Sequence, residues 1–173
     1  MLALVRAKAR LILPSWPWIA LAASALMLGA AHYFERVEGL APCLLCLKQR
    51  EAYWVAGTFS LVAIVAGFTP WRRPLVRLLC AAMALAFLYG MGLAIYHAGA
   101  EMKWWPGPQA CASVRSGGAA DIQAMLAGVR SKAPNCEDPV WWFLGLTMAG
   151  WNVIISLKLA LWSAAAAFYR ESR

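Results

Sequence analysis

Four long stretches of this chain contain no lysine, arginine, aspartate or glutamate: Leu11 to Phe34, Ala52 to Trp71, Leu78 to Ala100 and Pro139 to Leu157. Each has about the length a helix needs to cross ~30 Å of hydrocarbon at ~1.5 Å per residue. The chain is 62% hydrophobic and only 14% charged, against roughly 45 to 50% apolar residues in soluble domains. The sequence therefore predicts an all-α integral membrane protein, a four-helix transmembrane bundle running up-down-up-down. It forms one domain over residues 1–173, with spans at about 13–34, 46–69, 76–98 and 140–168 and external loops at about 35–45 and 99–139. The last span continues past Lys158, whose ammonium snorkels to the headgroups. The first apolar run exceeds the roughly 7 to 15 residues of a signal-peptide core and reads as a retained span. Trp16 and Trp18, beside Pro14 and Pro17, are expected at its interface.

Four spans put both termini on one side, and charge identifies that side. With the termini and the Thr69 to Arg77 turn cytoplasmic, that face carries nine basic residues against Glu171 alone, while the opposite face holds seven basic and seven acidic residues. The net charge of +8 thus belongs to one face, as the positive-inside rule requires. It marks topology, and nucleic-acid binding is not read from it.

Of the five cysteines, Cys43, Cys46, Cys111 and Cys136 fall outside, and Cys80 lies within the third span as a small hydrophobe. In an oxidising compartment four cysteines can form two disulfides. Pro42-Cys43-Leu44-Leu45-Cys46 is a CxxC pair at the mouth of the second span. Such a pair reads as a structural disulfide, half of a zinc site, or a redox couple. A helix beginning at about Cys43 favours the redox reading, because its positive end lowers thiol pKa. Arg50 would then lie one turn below Cys46 with a permanent charge. His97 ends the third span at the same depth, where ionisable groups are costly and often functional.

Cys111 and Cys136 bracket the long external loop, so a disulfide between them would be exposed and readily exchanged. Within that loop Met102 to Pro108, with Trp104 and Trp105, reads as a rigid interfacial stretch. A short amphipathic helix is expected from Asp121, with Ile122, Met125, Leu126 and Val129 on one face. One cysteine pair fixed at a helix end and another on a loop suggest an electron relay. No nucleotide, flavin or haem motif is present, which leaves a lipid-soluble quinone as acceptor, with Arg50 and His97 beside its carbonyl oxygens.

The segments Pro42 to Cys46 with Arg50, Tyr96-His97, Pro106 to Cys111, Cys136, and Trp141 to Met148 resemble the disulfide bond formation protein B (DsbB) family, in order and over all four spans. The resemblance implies a quinone-dependent thiol oxidase of the Gram-negative inner membrane, monomeric, with cytoplasmic termini and periplasmic cysteine loops. It would reoxidise a periplasmic DsbA-type dithiol oxidase. The partner's thiolate would attack a Cys111–Cys136 disulfide at Cys111, and electrons would pass to Cys43 and Cys46. Cys46 is implied to meet the quinone, ubiquinone or menaquinone, in a site formed by Arg50, His97 and Met148. Gln49, the Ser116 to Gly118 run and Cys80 depart from the family pattern. Two other readings compete: a vitamin K epoxide reductase-like quinone reductase, in which the order of the cysteine pairs would be reversed, and a protein holding zinc through Cys43, Cys46, Cys111 and Cys136. No residue is assigned as a metal ligand.

Overall fold

The computed structural model describes residues 13–70, 72–108 and 136–169. After a short 3-10 turn (Leu13–Ser15), four long helices follow in chain order: α1 (Trp16–Arg36), α2 (Leu44–Ala66), α3 (Arg72–Glu101) and α4 (Met148–Phe168). A two-stranded hairpin, β1 (Trp142–Phe143) with β2 (Leu146–Thr147), precedes α4. Helices α1, α3 and α4 are long and apolar enough to cross a membrane.

Helix α2 starts where the sequence predicted, because Cys43 is its N-cap: the backbone there is extended and the Cys43 sulfur accepts the Cys46 N–H at 3.2 Å. Helix α4 begins later than the expected residue 140. Trp142 pairs with Thr147 and Phe143 with Leu146, and the intervening Leu144 (φ 50°) and Gly145 (φ 78°) make a tight turn in left-handed backbone. Thr147 then caps α4, accepting the Gly150 N–H at 3.1 Å.

Helix α3 packs along both α2 and α4, α1 packs on α2, and α1 touches α4 only slightly. Small residues allow the close approaches: a Cβ at Gly90 of α3 would come 3.0 Å from that of Ala52 on α2. The core runs through Ala56, Ala63, Cys80, Met83, Phe87 and Ala160, so Cys80 is the buried small hydrophobe the sequence predicted. Trp16 differs from its interfacial expectation. It is buried, its indole N–H donates to Ser163 Oγ at 2.9 Å, and its ring stacks near Trp162, whereas Trp18 stays exposed. Large apolar side chains such as Leu26, Leu61, Val65, Leu85 and Leu161 point outward. Cys111 and the segment from Asp121 to Val129 lie outside the described residues.

Candidate functional site: a dithiol at the head of an apolar cleft

The first turn of α2 brings the Cys43 and Cys46 sulfurs to 2.7 Å. Both cysteines are free, and the distance exceeds the ~2.05 Å of a disulfide bond. Cys43 is buried and Cys46 half-buried. The Cys43 thiol is held well above the ordinary thiol range, first by its hydrogen bond to the Cys46 sulfur and then by burial.

Cys136 is disulfide-bonded and 1% exposed. It packs with Cys43 and Leu45, and Cys46 borders the same cluster. Cys136, expected at one end of an exposed loop disulfide, is instead buried, because it packs against the first turn of α2. A sulfur from the loop region and the CxxC thiols are brought into one cluster.

His97 reaches the dithiol from α3. Its Nε2 is 3.5 Å from Cys43 Sγ and 3.7 Å from Glu101 Oε1, one helical turn on. Its Nδ1 is 2.9 Å from Gln49 Nε2. Gln49 Oε1 in turn accepts from Asn152 Nδ2, and Asn152 Oδ1 accepts from Tyr53 and, at 3.1 Å, from Ser156. A buried chain of polar groups thus runs from α4 through α2 to the imidazole. With Gln49 Oε1 turned to Asn152, the amide nitrogen faces Nδ1, an arrangement that suits a ring proton on Nε2, facing the Cys43 sulfur.

Arg50 is not the bare cation the sequence suggested. Its guanidinium is ion-paired with Glu35 of α1 and donates to the Ala31 carbonyl at 3.2 Å. That pairing joins two helices, which fixes the guanidinium's position.

Because α1 and α4 barely touch, a cleft of about 300 Å³ opens between them and α2. Cys46, Arg50, His97 and Met148 all line it, as do Gln49 and Asn152. Its other walls are largely apolar, with Phe34 against Trp141 at one side (ring centroids 5.5 Å apart). The site residues read from the sequence, Cys43, Cys46, Arg50, His97, Met148 and Cys136, are brought together, whereas Cys111 lies outside the described residues. Glu35, Glu101, Tyr53 and Asn152 were not singled out. Asn152 carried a signal nonetheless, as an amide inside an apolar span.

A CxxC dithiol at the end of a bundle of membrane-length helices is an arrangement that suits a membrane disulfide oxidoreductase. The family model for "Disulfide bond formation protein DsbB" matches residues 14–166. Among relatives named "Disulfide bond formation protein B", that of Shewanella sp. strain MR-4 is 34% identical over 142 residues (79% of this chain, 77% of the relative). That of Marinobacter nauticus is 33% identical over 147 residues (78% and 80%), and that of Nitrosospira multiformis 30% over 152 (85% and 86%). No solved structure matches the chain. The chain belongs to the DsbB family of disulfide bond formation proteins.

Proposed function

We propose that the protein is a quinone-dependent thiol oxidase that reoxidises a periplasmic DsbA-type dithiol oxidase in a bacterial inner membrane. The observation that carries this reading is that Cys46 opens onto an apolar cleft whose polar lining includes Arg50 and His97. Such a cleft fits a planar apolar ring bearing two carbonyl oxygens, with aromatic walls for the ring and cationic or N–H donors for the oxygens. Ubiquinone or menaquinone bound there would supply a two-electron acceptor. Arg50, fixed by Glu35, would hold negative charge on one oxygen, and Met148 would pack against the ring.

The protein's own residues manage the thiol chemistry. Exchange with a Cys111–Cys136 disulfide leaves the partner oxidised and the electrons on sulfur. Cys136 packing against Cys43 supports transfer onward to the CxxC pair. Closing Cys43 and Cys46 into a disulfide then releases two electrons and two protons. Cys43 reaches Cys46 without a backbone shift, because both belong to one helix start. The four helices would cross up-down-up-down, α2 included, with the dithiol at the periplasmic end.

Purified protein given a reduced DsbA-type partner and ubiquinone-1 tests this. Ubiquinone reduction should proceed in the wild type and fall more than a hundredfold in Cys46→Ser. Arg50→Gln should raise the KM for quinone about tenfold or more with little change in thermal stability. A wild-type protein that oxidises the partner without consuming any quinone would overturn the proposal.

A further inference from the structure

We infer that the reduced Cys43–Cys46 dithiol and His97 together form a binding site for one divalent cation of the zinc type, which holds the pair reduced. The donor atoms Cys43 Sγ, Cys46 Sγ and His97 Nε2 all lie within 4.8 Å of one another. With Zn–S near 2.3 Å and Zn–N near 2.0 to 2.1 Å, two ligands on one tetrahedral ion stand roughly 3.5 to 3.8 Å apart. The His97 Nε2 to Cys43 Sγ distance is already 3.5 Å. The sulfurs, at 2.7 Å, need only spread by about 1 Å, which a small side-chain rotation supplies. The Cys46 N–H on Cys43 Sγ stabilises a thiolate in that position.

Two further features point to a cation. The Glu101 side chain is 7% exposed, its Oε1 is 3.7 Å from His97 Nε2, and its Oε2 is buried without a hydrogen-bond partner among the described residues, although Thr147 interacts with the same carboxyl group. A buried carboxylate oxygen left unpaired is costly, and a cation beside it, or a water in the cation's fourth position, removes that cost. Gln49 stands at Nδ1, the position from which an amide oxygen would support a metal-bound histidine. Coordination through Nε2 moves the ring proton to Nδ1, and Gln49 Oε1 accepts it once the Gln49 and Asn152 amides have both turned over, Asn152 Nδ2 then donating to the Tyr53 and Ser156 hydroxyls. Binding is a proton exchange with no redox step: Zn²⁺ plus two thiols gives the bis-thiolate complex and two released protons. Disulfide formation removes both sulfur ligands, so the site exists only in the reduced state. An ion bound there competes with oxidation of the pair.

This inference does not rest on the quinone reading, and its test needs no quinone. The chain carrying Cys80→Ala, Cys111→Ser and Cys136→Ser, reduced in detergent, is titrated with Zn²⁺ against a chromophoric chelator while its thiols are counted by alkylation. One Zn²⁺ per chain should bind, with both thiols protected until the chelator is in excess. The same protein oxidised to the Cys43–Cys46 disulfide should bind none. His97→Ala should weaken binding at least tenfold, and Co²⁺ in place of Zn²⁺ should give a thiolate-to-metal charge-transfer band that Cys43→Ser abolishes. Thiols that alkylate equally fast with and without Zn²⁺, or equal affinity in the oxidised protein, would overturn it. So would unchanged affinity in His97→Ala. Quinone reduction by the metal-free wild type, measured separately, reports on the proposed function alone.

Discussion

Cys43 uses one sulfur for three contacts: it caps α2 by accepting the Cys46 N–H, shares a hydrogen bond with Cys46 Sγ, and meets His97 Nε2. The hydrogen bond to Cys46 and burial both favour the neutral thiol, so its ionisation moves upward. The sign follows directly. A free cysteine ionises near pH ~8.5, and Cys43 should remain protonated as the pH rises past that point. In the reduced protein, alkylation of Cys43 followed by mass spectrometry across pH 7 to 10 should stay at least about tenfold slower than that of an unstructured cysteine. Cys46→Ala removes the hydrogen-bond partner and should lower the midpoint, though not to the free value, because burial persists. A wild-type midpoint at or below pH ~8.5 would contradict this assignment. The sequence made Cys43, Cys46 and Arg50 legible because all three belong to one helix start, where spacing dictates proximity. Glu35 and Asn152 were not legible for the opposite reason. Their partners, Arg50 and Gln49, are on other helices, and no local period places one helix's residues against another's.

At the scale of elements, both α2 and α4 begin with a side chain that accepts the N–H three residues on, from Cys43 and Thr147 respectively. The first was readable from the CxxC motif. The second was hidden, because Trp141 to Met148 is as apolar as the helix it precedes and its only break is Gly145. That glycine has φ 78° and no atom within 4 Å of where a Cβ would stand, so any cost of substitution is conformational. Gly145→Val should destabilise the protein by about 1 to 3 kcal/mol, whereas Gly145→Asn, which tolerates left-handed backbone, should cost well under ~1 kcal/mol. Thermal unfolding in detergent, read by tryptophan fluorescence, checks the pair. Equal losses from both would mean that side-chain crowding dominates. The hairpin also matters to the cleft, since the Phe143 carbonyl accepts from Trp151 Nε1 at 2.9 Å and Phe143 and Trp151 both line it. Gly145→Val should therefore raise the KM for quinone as well.

For the whole molecule, a fourth crossing rests on α2. Helices α1, α3 and α4 are apolar enough to span on composition, but α2 carries Lys48, Arg50 and Glu51 in its first two turns. Its outer face fits the fourth crossing proposed above. Beyond Glu51, Trp54, Val55, Leu61, Val62 and Val65 are exposed on the outer surface, a face that water would not favour and lipid would. In that placement the charged turns would stand at headgroup depth. Lys48 is paired with Glu51 at 2.9 Å, and Arg50 with Glu35. Lipid gives helices little hydrophobic reason to associate, so polar contacts between them carry more of the specificity. The Gln49, Asn152, Tyr53, Ser156 and His97 chain does this for α2, α3 and α4. Single cysteines placed in a cysteine-free background decide the matter. Val37, Phe68 and Trp104 are exposed sites in the α1–α2 connection, the α2–α3 connection and just past α3. In sealed inner-membrane vesicles, a membrane-impermeant maleimide should label Phe68→Cys from the cytoplasmic side alone, and Val37→Cys and Trp104→Cys from the other side alone. If α2 lay along the surface, Val37→Cys and Phe68→Cys would label from the same side. That result would leave the dithiol on a helix that never crosses, and the cleft beside it would no longer open toward the quinone pool.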